Sequence, residues 1–379
     1  MKKIKNTECF LNKNNIKNKL DILRKILRQN NLSTFFVTSA INRKYLSGFS
    51  GSKGDLLIVN KRTFLFTDSR YGERAHEEIK ENIEVVVINK DYFKTIENFL
   101  NKLKVKKMGI EADDISVQFY DNLKKNLKNI KLIKTENLIK EIRMIKNKEE
   151  IKKIKKAINL TDEAFNFIFK FIKNNYKKGL IEKRISWEIE KFIKENKGMD
   201  LSFESIVASG KNSAIPHHLS GLRKIKKGDI VLLDFGVMCE NYHADLSRTI
   251  FIGEPSIRQK EIYEKVLKTQ KEIIKMIKPE IVCCSLDNKA RKIFEKFSCR
   301  ENFLHNLGHG VGLEIHEFPN LCQTCDGNIK LKPNMIFTIV PGIYYSSFGG
   351  VRIEDIILVT KKGYKVLSQS PKELKEMII

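Results

Sequence analysis

Two aspartates eleven positions apart stand in the segment best suited to bind a metal ion. Asp234 ends the apolar run 230–233, and Asp245 follows a point, Cys239-Glu240, where the chain can reverse. A reversal there places the two aspartates directly opposite each other on antiparallel strands, which is destabilising for like charges unless something positive lies between them. The pair therefore predicts a site for one or two divalent cations. The alternative is one solvent-facing and one turn aspartate, but the apolar run argues for burial, where an unpaired charge is costly.

A second cluster combines histidines with glycines. His305, His309 and His316 fall within twelve residues, and glycines at 308, 310 and 312 allow the backbone to approach a ligand closely. A single histidine is more often a hydrogen-bonded core residue than a ligand, whereas three among glycines favour a binding site. The spacing is not the helical HExxH pattern of the zincins, so it does not identify the metal.

A third cluster carries charge inside a strand-like run near the end of the chain. Gly349-Gly350 separates two apolar runs, and the second contains Arg352, Glu354 and Asp355. Glu354 is a further candidate metal ligand. The alternative is that Glu354 pairs with Arg352, because buried charges are usually paired.

The elements that must position these clusters fall into two parts. The first, residues 1–136, alternates helices and strands and predicts a small α/β domain; its expected elements are a helix at 20–29, strands at 34–37, 84–88 and 107–110, a turn-rich loop at 45–52, and a hairpin of 55–60 with 63–67. The second, residues 137–379, begins with an amphipathic helix at 146–172 and is rich in strands after Ser202. Its other expected helices are 181–196 and 259–278.

The net charge of +25 does not by itself indicate a nucleic-acid-binding protein. Only 14 of the 71 basic residues are arginine, and the lysines are dispersed among apolar and acidic residues. Lysine is the poorer residue for bidentate recognition of phosphates and bases. We therefore expect no specific nucleic-acid partner, only weak, salt-dependent attraction to polyanions.

Cysteine usage and hydropathy favour a cytoplasmic protein outside the membrane. The seven cysteines are odd in number and scattered, unlike a secreted disulfide framework. The pair Cys322 and Cys325 lacks a second pair to complete a zinc site. The chain has no run of about 18 apolar residues, as a membrane helix requires, and its first residues lack the apolar stretch of a signal peptide.

The whole chain resembles the Xaa-Pro aminopeptidase and prolidase family, which shares the pita-bread fold with methionine aminopeptidase and creatinase. Residues 42–52 and 67–71 are similar to the creatinase-type N-terminal domain. Four catalytic-domain motifs occur in the family's order, within residues 207–217, 234–249, 308–317 and 341–355. The resemblance implies an α/β N-terminal domain followed by an α+β pita-bread catalytic domain, and a homodimer.

The same resemblance implies a role for each candidate residue. Two divalent cations, most often Mn²⁺ but also Co²⁺ or Zn²⁺, would be held by Asp234, Asp245, His309 and Glu354, with Asp245 and Glu354 bridging. The substrate would be a proline-containing peptide. Three histidines and one arginine would bind it and stabilise developing charge: His217, His305 (in the proline pocket), His316 and Arg352. Carboxylates with one imidazole also suit Mn²⁺ on chemical grounds.

The chain departs from the family at Val340, where a glutamate ligand is expected immediately before Pro341-Gly342. In the family this glutamate binds only the metal next to His309. Three protein ligands can still hold a cation. We expect a weakened second metal and activity reduced by ~10² to 10⁴, the usual scale for a missing acid or base.

Three functions remain open from the sequence. The leading one is a metal-dependent peptidase that removes the N-terminal residue from Xaa-Pro peptides, with a prolidase acting on Xaa-Pro dipeptides as a close alternative. The second is an inactive pita-bread protein that binds peptides or partners. The third is a metal-free, creatinase-like hydrolase, which the four surviving ligands oppose.

Overall fold

The structure, a computed structural model, describes residues 16–79, 82–195, 199–324 and 329–379. The chain divides into two compact units, Met1–Arg143 and Met144–Ile379. In these described ranges no helix is both long and apolar enough to cross a membrane.

The first unit is built on a six-stranded mixed sheet in the order β4-β3-β2-β1-β5-β6. The central strand β2 is buried along its whole length, as expected of a strand covered on both faces. Its helices are α1 (Ile16–Gln29), α2 (Ala40–Ser47), α3 (Gly72–Glu78), α4 (Tyr92–Lys102), α5 (Val117–Asn126) and α6 (Leu138–Arg143). Its strands are β1 (Thr34–Val37), β2 (Asp55–Val59), β3 (Arg62–Asp68), β4 (Glu84–Ile88), β5 (Lys107–Glu111) and β6 (Lys131–Thr135).

Most sequence predictions for this unit are confirmed. Strands β1 and β4 have the predicted bounds, and the predicted hairpin is β2 paired with β3. The loop predicted at 45–52 is wrong in its first three residues, which complete α2. That helix ends at Ser47 because Gly48 adopts the left-handed conformation, with φ of 82°, that commonly ends helices.

The second unit combines four long helices with small antiparallel sheets. Its helices are α7 (Lys148–Asn175), α8 (Glu182–Glu195), α9 (Ile257–Lys275) and α10 (Cys283–Lys296). Its strands are β7 (Asp200–Leu201), β8 (Ile206–Ser209), β9 (Ile230–Phe235), β10 (Val237–Cys239), β11 (Tyr242–His243), β12 (Leu246–Phe251), β13 (Gly308–Gly310), β14 (Glu317–Leu321), β15 (Ile336–Ile339), β16 (Gly342–Tyr345), β17 (Gly349–Arg352), β18 (Asp355–Val359) and β19 (Tyr364–Val366).

The long helices follow from their caps and apolar spacing. Helix α7 starts with a capping box in which Asn147 and Glu150 satisfy each other's backbone N–H groups. The three predicted helices are confirmed as α7, α8 and α9. Helix α10 was not predicted, although its buried residues Leu286, Ala290 and Ile293 have helical spacing.

Three sheets bring the chemistry-bearing segments together. Strand β9 lies between β12 and β8, and a five-stranded sheet has the order β14-β13-β15-β18-β19. Strands β16 and β17 form a separate hairpin. A hydrogen bond from the Glu354 amide to the Ser247 carbonyl, 3.0 Å long, joins the start of β18 to β12.

The predicted register of the aspartate hairpin is wrong. The chain reverses at Glu240 and Asn241, both with positive φ (51° and 67°), which is the requirement of a two-residue type I′ turn. This turn lies one residue later than predicted. Asp234 therefore pairs with Ser247, which makes Asp245 its diagonal neighbour on the same face rather than its direct partner.

Candidate metal centre

Three of the four predicted ligands converge in the second unit. One ligand atom each from Asp245, His309 and Glu354 lies within 4.8 Å of the others. The nearest carboxylate oxygen of Asp245 is 3.5 Å from Nε2 of His309. The side chains come from three elements: the residue before β12, the middle of β13 and the residue before β18. Ligand atoms this close together could hold a shared cation.

The carboxylates of this cluster carry unsatisfied oxygens. Within the described chain, Oδ1 of Asp234, Oδ1 of Asp245 and Oε1 of Glu354 are buried without a hydrogen-bond partner. Buried polar atoms of this kind are rare and need an explanation such as an ion. Three carboxylates face a single guanidinium, that of Arg352, so full ionisation leaves two uncompensated negative charges.

The raised pKa values of two carboxyl groups agree with this lack of positive charge. Burial, followed by the charge of Asp234, raises the pKa of Glu354 to about 8. Burial, followed by the charges of Glu354 and Asp234, raises the pKa of Asp245 well above its usual range. A divalent cation would remove both the repulsion and the unsatisfied oxygens. The residues present therefore fit such an ion.

His309 is prepared to act as a neutral ligand. Burial and the neighbouring His316 lower the pKa of His309 to about 4. Its Nδ1 lies 3.2 Å from the carbonyl oxygen of Gly310. A proton on Nδ1 donated to that carbonyl leaves the Nε2 lone pair free for a metal, as is usual for ligating histidines.

Asp234 lies at the edge of this cluster and is held by Arg352. The guanidinium donates to Oδ2 of Asp234, to Ser247 Oγ at 3.0 Å and to the Tyr344 hydroxyl at 3.0 Å. The alternative that Arg352 forms its ion pair with Glu354 is therefore wrong. Glu354 instead accepts a hydrogen bond of 2.8 Å from Ser247 Oγ.

The other predicted histidines surround the cluster. Nε2 of His305 lies 2.8 Å from the Tyr344 hydroxyl, and burial lowers the pKa of His305 to about 3. The rings of His309 and His316 meet edge to face at 4.3 Å. His217 is exposed, and its charge would disfavour protonation of both His305 and His316.

Val340 follows β15 and lies two residues after Thr338, which contacts the cluster. The Thr338 hydroxyl accepts from the His309 amide at 3.3 Å and interacts with the Glu354 carboxyl. Residues two apart in an extended chain share a face, so Val340, which is 7% exposed, follows on that face. It offers no ligand atom.

Sequence reasoning missed several residues that support the centre. They are Ser247, Tyr344 and Thr338. Ser247 could have been found by the two-residue spacing from Asp245 in an extended segment. The predicted pair Cys322 and Cys325 is not assessable, because Cys325 lies outside the described residues.

The chain matches two protein families along most of its length. Residues 152–361 match Metallopeptidase family M24, and residues 19–145 match the Creatinase/Prolidase N-terminal domain. An Xaa-Pro dipeptidase from Pyrococcus furiosus is 36% identical over 363 residues, which cover 95% of this chain and 100% of that protein.

Solved structures give the same assignment. An Xaa-Pro dipeptidase from Bacillus anthracis matches with a TM-score of 0.90 and 36% identity, covering 96% of this chain and all of that one. An X-Pro aminopeptidase from Thermotoga maritima matches with a TM-score of 0.84 and 31% identity over 94% of this chain and all of that one. The predicted fold class, an α/β N-terminal domain followed by a pita-bread catalytic domain, is confirmed. The chain belongs to metallopeptidase family M24, within its Xaa-Pro aminopeptidase and prolidase group.

Proposed function

We propose that this protein is a metal-dependent Xaa-Pro dipeptidase, a prolidase. The observation that carries the proposal is the buried Asp245, His309 and Glu354 cluster with its unsatisfied carboxylate oxygens. The relative from Pyrococcus furiosus and the structure from Bacillus anthracis, both named Xaa-Pro dipeptidases, support the dipeptide preference. They favour it over the aminopeptidase activity that we expected first.

The cofactor we propose is Mn²⁺, with Co²⁺ or Zn²⁺ as substitutes. Asp245 and Glu354 would bridge two positions, one completed by His309 and the other by Asp234. A bound divalent cation supplies polarisation of the scissile carbonyl and a more acidic water. One divalent cation would neutralise the two uncompensated negative charges of the site. A second cation would need further negative charge, such as a glutamate at position 340 would provide. We therefore propose one tightly bound and one weakly bound cation.

The surrounding side chains would bind and orient the peptide. His305, neutral and hydrogen-bonded to Tyr344, would line the pocket for the proline ring. His316 and His217 would donate hydrogen bonds to the substrate and to the oxyanion that develops on the carbonyl carbon. Arg352 fixes Asp234 and Ser247 and would also contact the substrate terminus. A dedicated proline pocket is needed because the Xaa-Pro amide lacks the N–H that ordinary peptidases recognise.

The second candidate is an Xaa-Pro aminopeptidase acting on longer peptides. It is favoured by the match to the Thermotoga maritima enzyme over 94% of this chain. For either activity we propose a homodimer, which sedimentation would detect as twice the chain mass of 44.0 kDa.

The deciding experiment compares substrates and one matched variant. Metal-free protein is supplied with Mn²⁺ and given an Xaa-Pro dipeptide or an Xaa-Pro-Yaa tripeptide, and Val340→Glu is assayed in parallel. We expect dipeptide cleavage by both, faster in the variant. Preference for the tripeptide would establish the aminopeptidase instead. Cleavage of neither substrate by either protein would overturn the peptidase proposal and leave the peptide-binding alternative.

A further inference from the structure

Glu182 is a fully buried carboxylate outside the metal centre. It is the first residue of α8, where an acidic side chain ordinarily does no more than interact with the helix dipole. Here the side chain points instead into the segment 209–221, which carries His217. This placement lets the carboxylate accept hydrogen bonds from the segment, which its position at the start of a helix does not suggest.

The Glu182 carboxylate accepts hydrogen bonds from both ends of this segment. At the near end, Oε1 accepts from the Ser209 amide at 2.7 Å, the Ser209 hydroxyl at 2.6 Å and the Asn212 amide group at 3.0 Å. At the far end, Oε2 accepts from His218 Nε2 at 2.8 Å and the Gly221 amide at 3.1 Å. Burial raises the pKa of Glu182, but these hydrogen bonds outweigh it and the net pKa is lowered. The carboxylate is thus ionised and clamps the segment.

Hydrophobic packing cannot fix the far half of the segment. Ile215 and Leu219 within it, and Leu222 directly after it, are 51%, 74% and 76% exposed, so little apolar area holds this stretch in place. Ser220, whose Oγ accepts from the Val207 amide at 3.0 Å, is one further polar attachment. A hydrogen bond of 3.0 Å from Arg352 to the Pro216 carbonyl is another. His217, itself exposed, lies between this attachment and His218, which Glu182 holds.

We infer that Glu182 is a positioning residue for the peptidase reaction, which acts by holding the segment that presents His217 to the substrate. The inference rests on the proposed function, since it assigns His217 a role in substrate binding and oxyanion stabilisation. A shift of about 1 Å in a positioned group costs on the order of 10²-fold in rate. The loss should therefore fall on the chemical step rather than on metal binding.

The test uses Glu182→Gln with Glu188→Gln as the matched control. Glu188 is also buried and on α8, but it pairs with Arg184 of the same helix. We expect Glu182→Gln to lower kcat and kcat/KM for an Xaa-Pro dipeptide by about 10²-fold, with Mn²⁺ affinity unchanged. Glu188→Gln should stay near wild type. Equal losses in both variants, or a loss explained by weaker Mn²⁺ binding, would overturn the inference.

A double-mutant cycle identifies the residue through which Glu182 acts. In a His217→Ala background, Glu182→Gln should cost less than about twofold, because interacting residues are not additive. Full additivity would show that Glu182 supports the enzyme by another route. If Glu182→Gln does not fold, His218→Ala removes a single hydrogen bond and takes its place in the cycle.

A readout without catalysis separates this inference from the proposed function. Chymotrypsin should cut after the exposed Leu219 and Leu222 about tenfold faster in Glu182→Gln than in Glu188→Gln, because local opening governs cleavage. If wild type cleaves no Xaa-Pro peptide but this difference in chymotrypsin cleavage is found, the proposed dipeptidase function is refuted. The role of Glu182 in holding the segment is then still supported. Equal cleavage of the two variants would overturn the clamp, whatever the activity.

Discussion

Glu354 and Asp355 are adjacent buried carboxylates, 2% and 1% exposed, with opposite surroundings. Asp355 accepts from Arg248 at 2.7 Å and from Lys372, so two cations face one carboxylate. Although burial opposes it, these charges lower the pKa of Asp355. Glu354 accepts from the Ser247 hydroxyl, interacts with the Thr338 hydroxyl, and has an oxygen without a hydrogen-bond partner among the described residues. Its pKa is raised by burial and by Asp234.

The difference separates a structural charge from a functional one. A buried carboxylate whose partners are part of the fold contributes to stability and needs nothing further. A buried carboxylate surrounded by other negatively charged groups lowers the stability of the fold. Such groups are typical of functional sites, where a ligand can supply the missing positive charge. Two consecutive residues of one chain thus contrast a carboxylate that is neutralised within the fold with one that could hold a metal ion.

The largest expected effect follows from removing the functional carboxylate. Glu354→Gln keeps the shape of the side chain but removes the charge that, in the proposed function, would be shared by both cations. We expect loss of tight Mn²⁺ binding and a fall in kcat/KM on the order of 10³-fold or more, at or above the cost of one lost electrostatic contact. Dipeptide hydrolysis and calorimetric Mn²⁺ titration measure the two effects. Full activity in this variant would show that Glu354 is not a functional carboxylate.

Removing the structural carboxylate should act on folding instead. Asp355→Asn leaves Arg248 buried with its main charge partner gone, which costs about 3–5 kcal/mol of unfolding free energy. Urea denaturation measures this loss. Because the metal-free Glu354→Gln protein loses a repulsion, its unfolding free energy at pH 8 should rise rather than fall. If both substitutions changed the unfolding free energy in the same direction, the two carboxylates could not be divided into a structural and a functional one.

Val340→Glu should restore the missing ligand and charge. We expect the number of tightly bound Mn²⁺ ions to rise from one to two per chain, and kcat/KM for an Xaa-Pro dipeptide to rise by about 10²-fold. Metal analysis after gel filtration gives the stoichiometry independently of activity. Val340→Gln is the control, since it supplies bulk and polarity without charge. An equal gain in both variants would show that the negative charge of a glutamate is not what the natural protein lacks.

The smallest expected effect is a dependence of metal-free stability on pH. A carboxyl with a pKa of 4.5 unfolded and about 8 folded binds an extra proton in the folded state between these values. The unfolding free energy therefore falls as pH rises through this window. We expect a lower melting temperature at pH 8 than at pH 5.5. The decline should be shallower in Glu354→Gln, and Mn²⁺ should reverse it in wild type only.

The sequence predicted those parts of the fold whose pattern is local. The strand at 34–37 and the amphipathic helix α7 follow from apolar periodicity. The hairpin register was missed because it depends on one turn: positive φ at Glu240 and Asn241 moves the reversal by one residue. That shift makes Ser247, not Asp245, the partner of Asp234.

The sequence indicated three side chains that converge in the structure, but it did not indicate how the charged residues around them pair. Asp245, His309 and Glu354 were found from their flanking glycines and apolar runs, and they converge as expected. The ion pair between Arg352 and Asp234 joins residues more than 100 positions apart, so no sequence spacing indicates it. Glu182 was overlooked for a similar reason: its partners belong to a distant loop rather than to its own helix.

Calorimetric titration of Mn²⁺ tests most directly whether the buried carboxylates form a metal centre. It is carried out on the metal-free protein, its Glu354→Gln variant and the Glu188→Gln control. We expect one tight binding event per chain in wild type and in the control, and none in Glu354→Gln. Absence of binding in wild type, or unchanged binding in Glu354→Gln, would contradict the claim that these buried carboxylates are a metal centre.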